Sequence, residues 1–204
     1  REQGTCVRIG ASNRPASLDM IHELERQRLN QSFDEQIAWD FKLAELDLTP
    51  LQDAFQQRSK DLNEQRLHSL RLIKTEHGIT HPTHGLIILL GLYEHVEIKC
   101  SRFKGTDMTV FLDKKEYTSH LFDQLEQTEL FIKNHLHLKA EILGLQRTET
   151  YEIPMPAIRE ALVNALVHRD YSNFGRDIKV GIYDDAVNIV SPGGLHNGLT
   201  EEDL

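Results

Sequence analysis

The sequence predicts an α+β fold, with a helical first part followed by a sheet layered against helices. Three observations carry this reading. Val96–Phe103, Thr109–Tyr117, Ile178–Tyr183 and Ala186–Val190 alternate with the period of two that a half-buried strand needs. Ser119–Leu136 and Pro156–His168 instead space their apolar residues by three and four, as amphipathic helices do. The order strand, helix, strand, strand then places the helices on one side of a sheet.

Taken from the start, Thr5–Ile9 alternates like a short strand, and residues 10–17 form a polar turn region. Ser17 is placed to cap a helix with Leu18, Ile21 and Leu24 as its apolar positions. Ser32–Asp40 is a connection anchored by Phe33 and Trp39. Thr49–Pro50 opens a helix to about Ser59, since proline is tolerated in a first turn. A second helix is predicted over Leu62–Ile73, with Leu62, Leu67, Leu70 and Ile73 inward, followed by a Gly-containing polar loop. Thr80–Leu92 is apolar enough to be buried on most sides, and Pro82–Thr83 favours a short helix there. After the strands at 96–103 and 109–117, Leu121, Phe122, Leu125, Phe131 and Ile132 make the inner stripe of a helix. Glu141–Arg147 and Thr148–Ile153 read as a strand pair. Asp184–Asp185 is the tight turn of a hairpin.

The composition is that of an ordinary soluble protein: 204 residues, 39% hydrophobic and 27% charged. No apolar run is long enough to span a bilayer, which excludes a helical membrane protein; Gly85–Leu92 falls far short. A net charge of −9 argues against a chain that as a whole grips nucleic acid through its phosphates. Cys6 and Cys100 lack metal-like spacing and fit a reducing, cytoplasmic setting. His77, His81 and His84 cluster without a Cys or an acidic ligand, which reads as a polar loop rather than a metal site. There is no Gly-x-x-x-x-Gly-Lys-Ser/Thr loop, so helicase-type chemistry has no support.

Pro154 and Pro156 open the most informative helix. Ile158, Ala161, Leu162, Ala165 and Leu166 give it an apolar face, while Glu160, Asn164 and His168 fall four apart on one side. Such groups are costly on an apolar helix unless something satisfies them. A carboxylate can take a proton from water. An amide oxygen suits a hard cation such as Mg²⁺ that also binds phosphate. The plainer alternative is a solvated helix edge.

Glu160-x-x-x-Asn164 resembles the N box of the GHKL-type ATPases. The longer run Arg159–Ser172, with Ser191–Leu195 and Leu199–Leu204, is similar to the divergent ATPase module of prokaryotic transcriptional regulators, often labelled as RecG-related. The resemblance implies that Glu160 positions or deprotonates the attacking water and that Asn164 holds Mg²⁺. It puts His168 and Arg169 near the phosphates of ATP. It puts Ser191, Gly193 and Gly194 where the family's Asp-x-Gly-x-Gly loop lies. Ser191 stands closest to the loop's usual aspartate, which is absent. The phrase Val7–Ala16 resembles the end of the Schlafen/Alba-like (divergent AAA) domain that precedes this module. The implied organisation is a remnant of that domain over 1–30, a helical connection over 31–80 and an ATPase-like domain over 81–204, with its N-box helix at 156–169 and its lid beyond Leu204. The implied function is a transcriptional regulator coupling ATP binding to DNA-binding neighbours, with at most a weak Mg-dependent ATPase in a longer chain. The alternative is a degenerate fold serving as a dimerisation or ligand-sensing scaffold. Residues 49–90 also suit a winged-helix-like unit that binds DNA directly, but a plain helical hairpin accounts for the same residues.

Overall fold

The computed structural model describes residues 4–9, 12–18, 20–21, 24, 32–143 and 146–193. In chain order the strands and helices are β1 (Cys6–Ile9), β2 (Ser12–Pro15), α1 (Thr49–Gln56), α2 (Glu64–Ser69), β3 (Ile73–Glu76), β4 (Ile79–Pro82) and α3 (His84–Leu89). There follow β5 (Ile98–Phe103), β6 (Phe111–Tyr117), α4 (Leu121–His135), β7 (Leu138–Leu143), β8 (Gln146–Tyr151), α5 (Met155–Val167), β9 (Ile178–Ile182) and β10 (Val187–Val190). The chain divides into two compact units, residues 1–46 with 64–86 and residues 47–63 with 87–204. Asp47–Asn63 thus goes with the second unit, apart from its neighbours in the chain.

In the first unit β1 pairs antiparallel with β2, so the predicted polar turn contains a strand of its own. Ser17 Oγ accepts from the Met20 N–H at 3.3 Å, the capping contact expected of it. The predicted helix over Leu62–Ile73 is shorter than expected. It stops at Ser69, and Ile73 instead begins a hairpin, β3 against β4. His77 (φ 50°) and Gly78 (φ 79°) form its turn, the left-handed pair that tight hairpins favour. Thr83 is fully buried, and its hydroxyl donates to the Arg71 carbonyl at 2.9 Å. Phe33 stacks on His84 with ring centroids 4.4 Å apart, as an anchor should. Trp39 does not bury; it is 65% exposed, tilted against the His81 ring.

The second unit holds a four-stranded sheet in the order β10-β9-β5-β6. β5 and β9 are parallel, and both outer pairs are antiparallel. The alternation of β5 and β9 sends Ile98, Cys100, Ile178, Val180 and Ile182 to one face. There they pack with Leu125, Phe131 and Ile132 of α4 and Ile158, Leu162 and Leu166 of α5. Burying each such side chain contributes about 1.5–3 kcal/mol. The second unit is therefore a sheet with helices against one face, and the chain as a whole is α+β. β7 and β8 form a separate hairpin between the two helices. Lys99 and Lys179 lie side by side in the parallel pair. The Lys99 ammonium is neutralised by Asp177 and Glu97, each at 2.7 Å; the bond to Asp177 first, then that to Glu97, holds its pKa above the usual lysine value.

Candidate functional site

The helix predicted over 156–169 forms as α5, over Met155–Val167. Pro154 is its N-cap and Pro156 sits in its first turn. Ile158, Leu162 and Leu166 are buried, which fixes the rotation of the helix and turns Glu160, Asn164 and His168 outward. The Asn164 Nδ2 donates to Glu160 Oε1 at 3.2 Å, so the two residues work as one pair on an exposed flank. His168 lies at the C-cap, its N–H donating to the Asn164 carbonyl at 3.0 Å, with its side chain exposed. These three are brought together.

Arg169 is not brought to that flank. It is only 5% exposed, and its Nη2 donates to the carbonyls of His95 (2.6 Å) and Arg176 (2.9 Å). Its guanidinium carbon lies 5.0 Å from the Tyr171 ring centroid. Burial pushes the Arg169 pKa below its ordinary value. The side chain thereby ties together the segments leading into the parallel strands β5 and β9. Among the described residues, its Nε and the buried Nε2 of His95 have no hydrogen-bond partner. The His95 pKa is lowered, first by burial and then by the Arg169 charge, against an opposing hydrogen bond with the Tyr171 backbone. The rings of Tyr93 and Phe174 pack on His95 at 5.3 and 4.4 Å.

Ser191 is committed to structure as well: its hydroxyl donates to the Ala165 carbonyl at 2.6 Å. Tyr171 donates to the Leu166 carbonyl at 2.9 Å. Both carbonyls belong to the last turn of α5, where no intrahelical donor remains. The residues after the helix and the residues after β10 therefore cap the same helix end. Pro192 completes the join, its carbonyl accepting from the Asp170 N–H at 2.7 Å. Gly193 sits at φ 144°, a backbone conformation that side chains rarely adopt, and a Cβ there would also crowd the His168 carbonyl oxygen at 3.2 Å. Gly194 and the remainder of the predicted loop lie outside the described residues. Sequence reasoning missed Asp170, Tyr171 and His95. For Tyr171 a signal existed, since a side-chain donor just past a helix end is a candidate cap.

No family model matches this sequence, and no curated protein matches it. The fold is similar to that of the crystal structure of the DIP2311 protein from Corynebacterium diphtheriae, with a TM-score of 0.65 over 97% of this chain and 23% identity. The chain spans 40% of that protein's length. Among the described residues, no helix is long and apolar enough to cross a membrane. Among the same residues, no group of three or more His, Cys, Asp or Glu is arranged to hold a metal ion.

Proposed function

We propose that α5 is one wall of a GHKL-type nucleotide site, within a cytoplasmic transcriptional regulator that couples ATP binding to DNA-binding domains of a longer chain. The observation that carries this reading is the Glu160–Asn164 pair on the exposed flank. The Asn164 amide nitrogen is occupied by Glu160, which leaves its oxygen as the atom for a cation. One amide oxygen is a reasonable protein share for Mg²⁺, which keeps several waters and takes the rest of its shell from phosphates. Asn164 would hold the ion, which would supply neutralisation of the triphosphate charge. Glu160 would orient or deprotonate water at the same place, and His168 would donate to a phosphate oxygen. Arg169, with its donors on backbone carbonyls, positions the turn after the helix rather than a phosphate. In this reading any hydrolysis is weak and belongs to the longer chain.

A second reading has its own support. The commitment of Ser191 and Arg169 to backbone carbonyls suits a fold kept as a scaffold for dimerisation or ligand sensing. Calorimetry on the full-length protein, with Mg²⁺ and a non-hydrolysable ATP analogue, separates the two. The nucleotide reading expects saturable binding that Asn164→Ala weakens by about tenfold or more, the equivalent of one charge-assisted contact. Equal affinity in the variant removes the metal role. No binding in the wild type leaves the scaffold.

A further inference from the structure

We propose that His95 and Arg169 form a proton-operated latch on the end of α5: protonation of His95 releases the turn over residues 169–176 that the pair holds closed. Three bonds make the latch. Arg169 Nη2 donates to the His95 carbonyl at 2.6 Å and to the Arg176 carbonyl at 2.9 Å. The His95 ring bonds the Tyr171 backbone, and this bond favours the charged ring, so the ring donates and the carbonyl accepts. Nε2 is buried and, among the described residues, has no partner, so the donor is Nδ1. The neutral ring is thereby fixed in one tautomer, with a bare Nε2 acceptor inside the protein.

Protonation turns that acceptor into a donor. Among the described residues nothing accepts from it, and the Nε–H of Arg169 is in the same position. A buried donor without an acceptor opposes the closed state. So does a second positive charge, since Arg169 is only 5% exposed. The acidic groups acting on the pair are Asp177, Asp170 and Glu97. Asp177 favours the charged ring, but less than Arg169 opposes it, and both Asp177 and Glu97 are committed to Lys99 at 2.7 Å. Asp170 Oδ1 accepts from Ser172. Tyr93 and Phe174 pack their rings on His95. The turn so released is the one that caps α5. Its Tyr171 hydroxyl donates to the Leu166 carbonyl at 2.9 Å, and its Asp170 N–H donates to the Pro192 carbonyl at 2.7 Å. Opening it frees the last turn of the helix, next to His168, while the core between sheet and helices stays packed. The latch needs no ligand on α5 to operate.

Hydrogen exchange of the full-length protein tests this, with protection factors corrected for the intrinsic pH dependence of exchange. The amides of His168 and Asp170 are expected to lose protection several-fold as the pH falls below about 6.5, by at most about tenfold per pH unit, since one proton is taken up. They are also expected to be less protected than the core amides of β5 and β9 at every pH, because a local opening needs less than global unfolding. The variant is His95→Asn, whose amide nitrogen can keep the bond to the Tyr171 carbonyl but takes up no proton. Its protection at Asp170 is expected to be flat with pH. A variant that keeps the wild-type slope overturns the role of His95. Turn amides protected as strongly as the core overturn the latch, since release would then be global unfolding. Should the variant not fold, the His95 imidazole is followed by nuclear magnetic resonance in the wild type. An Nδ1–H tautomer that titrates together with the loss of protection at Asp170 supports the latch, and a ring that titrates with that protection unchanged overturns it.

Discussion

His95 sits beside Arg169 with Tyr93 and Phe174 on its ring, an environment that resists a second positive charge. A histidine held below its ordinary value of 6.5 in the folded protein takes up protons more readily once unfolded. Its contribution to stability is complete above about pH 6.5 and is lost as the pH falls from there through the folded value. His84 adds in the same window, lowered by burial against an opposing Asp40. The denaturant midpoint should therefore fall between about pH 7.5 and about pH 5.5, and His95→Gln should flatten that fall. Identical pH slopes in the two proteins would show that His95 is not held neutral by its surroundings. Part of the candidate site could be read at this scale and part could not. The spacing of Glu160 and Asn164 is local, so a helix delivers it directly. The fates of Arg169 and Ser191 are set by carbonyls 74 and 26 residues away, at His95 and Ala165, which no local pattern announces.

Three helices end in the same way. After α1, Ser59 (φ 56°) donates to Gln56 and Lys60 donates to Phe55. After α2, Arg71 (φ 57°) donates to His68 and Leu72 donates to Leu67. After α3, Gly91 (φ 68°) donates to Ile88 and Leu92 donates to Ile87. Each pair of bonds is the Schellman arrangement, which needs one left-handed residue and usually finds glycine. Gly91 is the residue such an end favours, so α3 carries its own stop signal, whereas the pattern predicting a helix over Leu62–Ile73 runs past the end of α2 at Ser69. Arg71 carries no stop signal, and Leu67, Leu70 and Ile73 keep a helical interval past it. The same geometry predicts substitutions of opposite sign. Ser59→Gly should stabilise the protein by up to about 1 kcal/mol by relieving the left-handed side chain. Gly91→Ala should destabilise it by more than about 2 kcal/mol, since the new Cβ would lie 2.2 Å from the Ser119 carbonyl oxygen. Urea titrations would measure both, and a neutral Gly91→Ala would mean that the two backbones lie further apart.

For the molecule as a whole, the strands of the second unit were readable from alternation, but not their order. Placing β9 parallel and next to β5 depends on a connection through β6, two helices and a hairpin, and its result is one continuous core. Cys100 sits at the centre of that core, fully buried, with its thiol near Thr128. Burial pushes the Cys100 pKa up to about 12, against the lowering contact with Thr128. A thiol both covered and protonated does not react, because the thiolate is the nucleophile. Cys6, in the first unit, is exposed. An aromatic disulfide reagent should therefore modify Cys6 promptly in native buffer and reach Cys100 only as the second unit unfolds, with a rate that climbs with denaturant alongside the loss of helical circular dichroism. Because Cys100 lies on β5 between β6 and β9, its protection reports the closure of the whole sheet against α4 and α5. Reaction of both thiols at one rate in native buffer would mean that the helices do not close over this strand, and the rotation of α5 that exposes Glu160 and Asn164 would lose its basis.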